Sequence, residues 1–142
     1  MARVQLFLST VTAEFLTYRE RLRQRLTRPD VEVKVQEDFI VTGKETLEML
    51  DQYIQGCDGV IHLVGDMTGA MALPPSVAAM ATAHPELGSC LPLSEHLQPD
   101  GPSLSFTQWE AWLALLHGKR LFITTPAPEA PREERYRVEA KD

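Results

Sequence analysis

Short apolar, β-prone runs alternate along this chain with segments whose apolar residues recur at helical spacing. The runs lie at residues 4–8, 31–36, 60–64 and 121–123, and the third is mostly apolar, as in strands buried on both faces. Strands and helices that alternate in this way form a parallel sheet with helices on both faces. The chain therefore predicts an α/β fold with a four- to five-stranded parallel sheet.

The helical segments carry boundary signals of their own. Residues 12–28 place Phe15 and Leu22 on one face after Thr12, the predicted N-cap, and they end before Pro29. Two further helices are predicted over about 47–57 and 107–117, the second closed by Gly118.

Residues 65–104 interrupt this alternation. They hold six of the ten prolines and four of the eight glycines, and they predict one short helix over about 76–83 in an otherwise irregular segment. Insertions of this length usually form lids or binding loops. The expected organisation is one domain over 1–125 with this insertion, followed by a linker-like tail over 126–142 that leads to further domains.

Charge is unevenly distributed. The net charge is −6, which argues against a nucleic-acid binder, and residues 45–118 contain no lysine or arginine. An anionic ligand would need backbone N–H groups or cations from outside that stretch. No apolar run approaches a membrane span and the N-terminus does not resemble a signal peptide, so we expect a cytoplasmic protein with no membrane partner.

Cysteine and histidine usage suggests no metal centre. Cys57 and Cys90 belong to no motif and are expected to be free thiols. The four histidines lie at no metal-ligand spacing with a cysteine or an acid, which argues against a zinc site: His62, His84, His96 and His117.

Ligands of open parallel sheets bind beyond the C-terminal ends of the strands, and one acid stands near that edge. Glu110 lies early in the last predicted helix and is the only acid between Pro102 and Pro126. Two capping boxes fit this helix start, one from Thr107 to Glu110 and the other from residue 105 to residue 108. Spacing alone leaves Glu110 either as a capping residue or as a functional acid.

Three segments together resemble a TIR-like family found at the front of bacterial signalling and NTPase proteins. Residues 6–10 read Leu-Phe-Leu-Ser-Thr, and residues 36–39 read Gln-Glu-Asp-Phe. Residues 105–119 carry Ser-x-Thr-x-x-Glu-x-x-x-Ala-x-x-x-Gly-Lys, a signature also similar to that of nucleoside deoxyribosyltransferases. The resemblance covers about residues 4–125 and implies a flavodoxin-like or TIR-like three-layer sandwich.

The resemblance also implies a chemistry. A glutamate at the position of Glu110 engages the ribose and helps to break an N-glycosidic bond, through an oxocarbenium-like state that a carboxylate stabilises. NAD would then be a substrate, and neither a cofactor nor a metal is expected. The residues expected to bind the nucleotide are Ser9, Thr10, Asp38, Phe39, Lys44 and Trp109.

The resemblance therefore predicts that this chain is an N-terminal effector domain of a bacterial defence or signalling protein. We expect an NAD⁺ glycohydrolase that acts as a homo-oligomer. The first alternative is a non-catalytic TIR-like assembly module in which Glu110 only caps its helix. The second is a nucleoside deoxyribosyltransferase.

Overall fold

A computed structural model describes residues 3–35, 47–66, 71–98 and 100–131. The strands are β1 (Val4–Ser9), β2 (Val31–Lys34), β3 (Gly59–Leu63) and β4 (Arg120–Thr124). The helices are α1 (Thr12–Leu26), α2 (Leu47–Gln55), α3 (Pro74–Ala83), α4 (Leu87–Cys90) and α5 (Phe106–Leu116), with a 3-10 turn at Ser94–Leu97.

The four strands form one parallel sheet in the order β2-β1-β3-β4. Ser9 is in register with His62 on β3, and His62 is in register with Ile123 on β4. All four C-terminal ends therefore lie at the same edge of the sheet. The predicted α/β class and its four-stranded parallel sheet are confirmed.

Apolar side chains form one core cluster on each face of the sheet. Alternation along β1 sends Phe7 to one face and Leu8 to the other. Leu8 packs with Phe15 of α1, while Phe7 packs with residues of α2, α3 and α5, among them Leu50 and Trp109. These are the three layers of a flavodoxin-like fold, which the resemblance implied.

Residues 71–98 and 100–104 are more regular than the sequence predicted. Pro74 and Pro75 occupy the first turn of α3, where a missing N–H costs no hydrogen bond, so these prolines start a helix instead of breaking one. Met80, Leu87 and Leu93 are fully buried in the larger core cluster. This part of the insertion is packed into the body of the domain.

After β4, residues 125–131 lie against α1. Tyr18 Oη donates a hydrogen bond of 2.8 Å to the Pro131 carbonyl oxygen. Thr125, Pro126 and Ala130 line a cavity together with Phe15 and other α1 side chains. The first residues of the predicted linker thus contact the domain, and residues 132–142 lie outside the described part of the chain. Among the described residues, no helix has both the length and the apolar character needed to cross a membrane.

Candidate functional site

The C-terminal ends of β1 and β3 place two polar side chains side by side. Ser9 and His62 are register partners on neighbouring parallel strands, so their side chains point to the same face of the sheet. Ser9 is fully buried and His62 is 8% exposed. Ser9 was a predicted site residue, whereas His62 stood inside an apolar run and gave no signal of its own.

The start of α5 settles which residues cap that helix. Ser105 Oγ accepts a hydrogen bond from the Gln108 N–H over 3.1 Å, and Gln108 Oε1 accepts one from the Ser105 N–H over 2.8 Å. This reciprocal pair is a complete capping box. The alternative box from Thr107 to Glu110 is not formed, and the Glu110 carboxylate lies elsewhere.

Glu110 turns toward the end of β1. Its Oε1 accepts a hydrogen bond of 2.6 Å from Ser9 Oγ, and the residue is only 2% exposed. Ser9 Oγ is also 2.9 Å from His62 Nδ1. Glu110, Ser9 and His62 form one buried hydrogen-bonded row, which we call the Glu110 triad.

The number of available protons determines which atom donates in each of these two hydrogen bonds. A serine has one proton to donate, and Ser9 gives it to Glu110, so His62 Nδ1 must be the donor to Ser9 Oγ. Burial lowers the pKa of His62, which favours the neutral ring, and the contact with Ser9 Oγ then assigns the ring proton to Nδ1. Ser9 is thus the donor to the buried carboxylate, and His62 in turn donates to Ser9, which holds the serine hydroxyl in the orientation that reaches Glu110 Oε1.

Two predicted site residues next to the triad in the chain bury polar atoms that lack hydrogen bonds. Thr10 follows Ser9, and its Oγ1 is buried with no partner in the part of the chain that the structure describes. Trp109 precedes Glu110 and packs in the larger core cluster. Its Nε1–H is likewise buried with no hydrogen-bond partner among the described residues. A buried group of this kind costs about 1–3 kcal/mol, so native proteins seldom keep one without a reason.

A second buried acid lies at the same edge of the sheet. Glu14, in the first turn of α1, is fully buried, and its Oε2 accepts a hydrogen bond of 3.1 Å from the Asp66 N–H. Gly65 permits this contact, because a Cβ there would stand 2.4 Å from both Glu14 oxygens. Sequence reasoning did not select Glu14, since a first-turn acid on a helix is common.

The remaining predicted nucleotide-binding residues are Asp38, Phe39 and Lys44. They lie outside the described residues, so their placement relative to the Glu110 triad stays a prediction. Two cavities are described, one against α1 and one between α3 and the 3-10 turn, and neither is lined by Ser9 or Glu110.

A separate polar cluster joins three helices near the opposite end of α5. Asp51 of α2 contacts His84, which follows α3, at 2.7 Å and His117, which follows α5, at 2.5 Å, each through Nε2. Burial raises the pKa of Asp51, but the hydrogen bonds and charges of the two histidines outweigh it and leave that pKa below its usual value. The hydrogen bond with Asp51 raises the pKa of His84.

Comparison with known proteins adds no relative. The chain matches no protein-family model, no curated protein and no solved structure.

Proposed function

We propose that this chain is a TIR-like effector domain that hydrolyses the N-glycosidic bond of NAD or a related nucleotide, with Glu110 as its key acid. The observation that carries the proposal is the hydrogen bond from Ser9 to the buried Glu110 carboxylate at the C-terminal edge of a parallel sheet. Helix capping was the competing explanation for this acid, and Ser105 with Gln108 supplies the cap.

In this proposal Glu110 acts electrostatically, by stabilising positive charge on the ribose. As the C1′–N bond breaks, its electron pair leaves with nicotinamide and positive charge develops on the ribose. A carboxylate fixed in a low-dielectric site stabilises that charge more strongly than one in water. Water then supplies oxygen to C1′ and loses a proton, which gives ADP-ribose. Ser9 and His62 act as positioning residues that hold Glu110 in place.

Burial of Glu110 places a requirement on this reaction. At 2% exposure the carboxylate is closed to a nucleotide, so the substrate must reach it through a rearrangement of the cleft. We assign that rearrangement to assembly of several copies, in agreement with the expected homo-oligomer. Residues 45–118 lack cations, so the pyrophosphate would be met by backbone N–H groups, Lys44 or an arginine of α1.

Nicotinamide release from NAD tests this proposal. The purified chain is assayed dilute and again after fusion to a multimeric scaffold that raises its local concentration. We expect release in the assembled form and little in the dilute form. Absence of release from both forms, with NAD and with related nucleotides, would exclude the glycohydrolase function.

A second candidate function is a non-catalytic assembly module within the same TIR-like class. The specific observation is the outer strand β4, where Phe122 is 54% and Ile123 is 61% exposed. Large exposed apolar side chains on an edge strand are typical of contact surfaces. Under this function Phe122→Ser abolishes concentration-dependent association in sedimentation, while NAD stays intact in every state of the wild type. NAD cleavage by the wild type would reject it.

A further inference from the structure

The cluster of Asp51, His84 and His117 brings two imidazoles and a carboxylate together from three helices. We propose that these three side chains bind a divalent transition-metal ion, with Zn²⁺ as the ion that fits their donor atoms. The site lies at the C-terminal end of α5, whereas Glu110 lies near its N-terminal end. The proposal therefore does not depend on the function proposed for Glu110.

The donor atoms already converge. One carboxylate oxygen of Asp51 and one ring nitrogen of each histidine all lie within 4.8 Å of one another. Tetrahedral zinc with bonds of about 2.0–2.2 Å separates its donors by about 3.3 Å. His84 Nε2 contacts Asp51 Oδ2 at 2.7 Å and His117 Nε2 contacts Asp51 Oδ1 at 2.5 Å, so zinc binding would require the carboxylate to turn one oxygen toward the ion and these contacts to open by less than about 1 Å.

Outer partners already orient two of the three ligands. His84 Nδ1 is 3.5 Å from Glu86 Oε1, so Nδ1 can keep a proton that faces a carboxylate, while Nε2 would give up to solvent the proton it now shares with Asp51 when a metal ion binds. A carboxylate behind the metal-binding histidine is the usual arrangement in zinc proteins. Gln55 Nε2 also donates to Asp51 Oδ2 over 3.3 Å, which restrains the carboxylate.

Donor chemistry and accessibility select the ion. Imidazole nitrogens suit zinc and its transition-metal neighbours, whereas Mg²⁺ and Ca²⁺ take sets of oxygen ligands. The side chains of His84 and His117 are 16% and 15% exposed, so an ion can reach them from solvent. Three protein ligands leave one tetrahedral position for water or a further ligand.

Binding would join the insertion to the rest of the domain. His84 follows α3 and belongs to the inserted segment, while Asp51 and His117 belong to α2 and the end of α5. An ion that binds the folded chain more tightly than the unfolded chain raises stability in proportion to the logarithm of its concentration. Zinc should therefore raise the midpoint of thermal unfolding.

The test uses the full chain without an affinity tag, treated with a chelator and then titrated with Zn²⁺ against a chromophoric competitor. We expect one Zn²⁺ per chain, a higher unfolding midpoint with Zn²⁺ and no such shift with Mg²⁺. His84→Gln and His117→Gln should each weaken binding more than about tenfold, because loss of even an outer partner costs roughly 10–100-fold. The matched control is His96→Gln, since His96 Nδ1 contacts the Pro102 carbonyl oxygen outside the cluster.

Co²⁺ gives an independent readout. The wild type and His96→Gln should show the visible absorption of four-coordinate Co²⁺, and His84→Gln should lose it. If the ligand variants unfold, Glu86→Gln is the variant to test in their place. The Glu86 side chain is 48% exposed, so removal of its charge should weaken zinc binding without unfolding the chain. Absence of stoichiometric binding in the wild type, or equal binding by the wild type and both ligand variants, would overturn the proposal. The proposal would also be overturned if His96→Gln lost as much zinc affinity as His84→Gln and His117→Gln.

Discussion

Ser9 Oγ donates a hydrogen bond of 2.6 Å to Glu110 Oε1 and so connects the end of β1 to α5 across 101 positions of the chain. The contact depends on the sheet, because register with β3 fixes where Ser9 points and which histidine stands beside it. It depends equally on the capping box of α5, which fixes where that helix starts and which side chains face the sheet.

Ser9→Ala should destabilise the domain. The change removes the donor to a buried carboxylate and the acceptor of the His62 Nδ1–H, and a hydrogen bond to a charged group contributes about 1.5–3 kcal/mol. Denaturant unfolding measures this free energy. Ser103→Ala, at an exposed serine, is the control and should change stability by less than about 0.5 kcal/mol. Equal effects of the two variants would show that the Glu110 triad contributes nothing to folding.

Ser105→Ala should destabilise α5, whereas Thr107→Ala should leave it almost unchanged. Ser105 supplies the cap and pairs with Gln108, and loss of such a cap costs about 0.5–2 kcal/mol. Chemical denaturation of both variants compares the two positions. A larger loss for Thr107→Ala would restore the capping box that ends at Glu110 and would weaken the functional assignment of that acid.

Gly65→Ala should be strongly unfavourable although this backbone position does not require glycine. Its Cβ would stand 2.4 Å from both Glu14 oxygens and force the carboxylate from the Asp66 N–H. The expected cost is about 1–3 kcal/mol, since a buried side chain loses a hydrogen bond from a backbone N–H. Gly88→Ala in α4 is the matched control, because the nearest atom there would be 3.7 Å away. Similar unfolding midpoints for the two variants would contradict the close contact between Glu14 and Gly65.

His62 should make the domain less stable as the pH falls below 6.5. Burial lowers its pKa, so the unfolded chain takes up a proton near pH 6.5 that the folded chain accepts only at lower pH, and stability decreases across that window. His84 contributes with the opposite sign, because its pKa is raised.

The informative quantity is therefore the difference between the wild type and His62→Gln, measured by urea unfolding in a chelator from neutral pH downward. The wild type should lose more stability than His62→Gln. Parallel curves for the wild type and His62→Gln would refute the assigned burial effect.

The sheet and its helices were predictable because local patterns report local structure. Alternation of apolar and polar residues at 31–35 and the helical spacing of Leu47, Leu50 and Ile54 correspond to β2 and α2. Residues 65–104 were the exception. Their prolines predicted irregular chain around one short helix over about 76–83; that helix is confirmed as α3, and it begins earlier, at Pro74, because proline is favoured in a first helical turn.

The site was predictable only in part, because its contacts join residues far apart in sequence. Ser9 and Glu110 followed from motif position, but His62 joined them through strand register alone. Asp51, His84 and His117 carry no common motif and meet only where three helices end or pass one another. Spacing rules detect ligands within one element, so they missed a cluster built from three.

The most direct test of the central claim is the rate of nicotinamide release from NAD by assembled Glu110→Gln, beside the wild type and Glu95→Gln. Glutamine keeps the size of Glu110 and can still accept the Ser9 hydrogen bond, but it removes the charge that would stabilise the ribose cation. Glu95 is a matched exposed acid, with a side chain that is 75% exposed. We predict that Glu110→Gln loses at least about 10²-fold in rate, as removal of one such electrostatic group does elsewhere, while Glu95→Gln retains the wild-type rate. Equal rates for Glu110→Gln and the wild type would contradict the account.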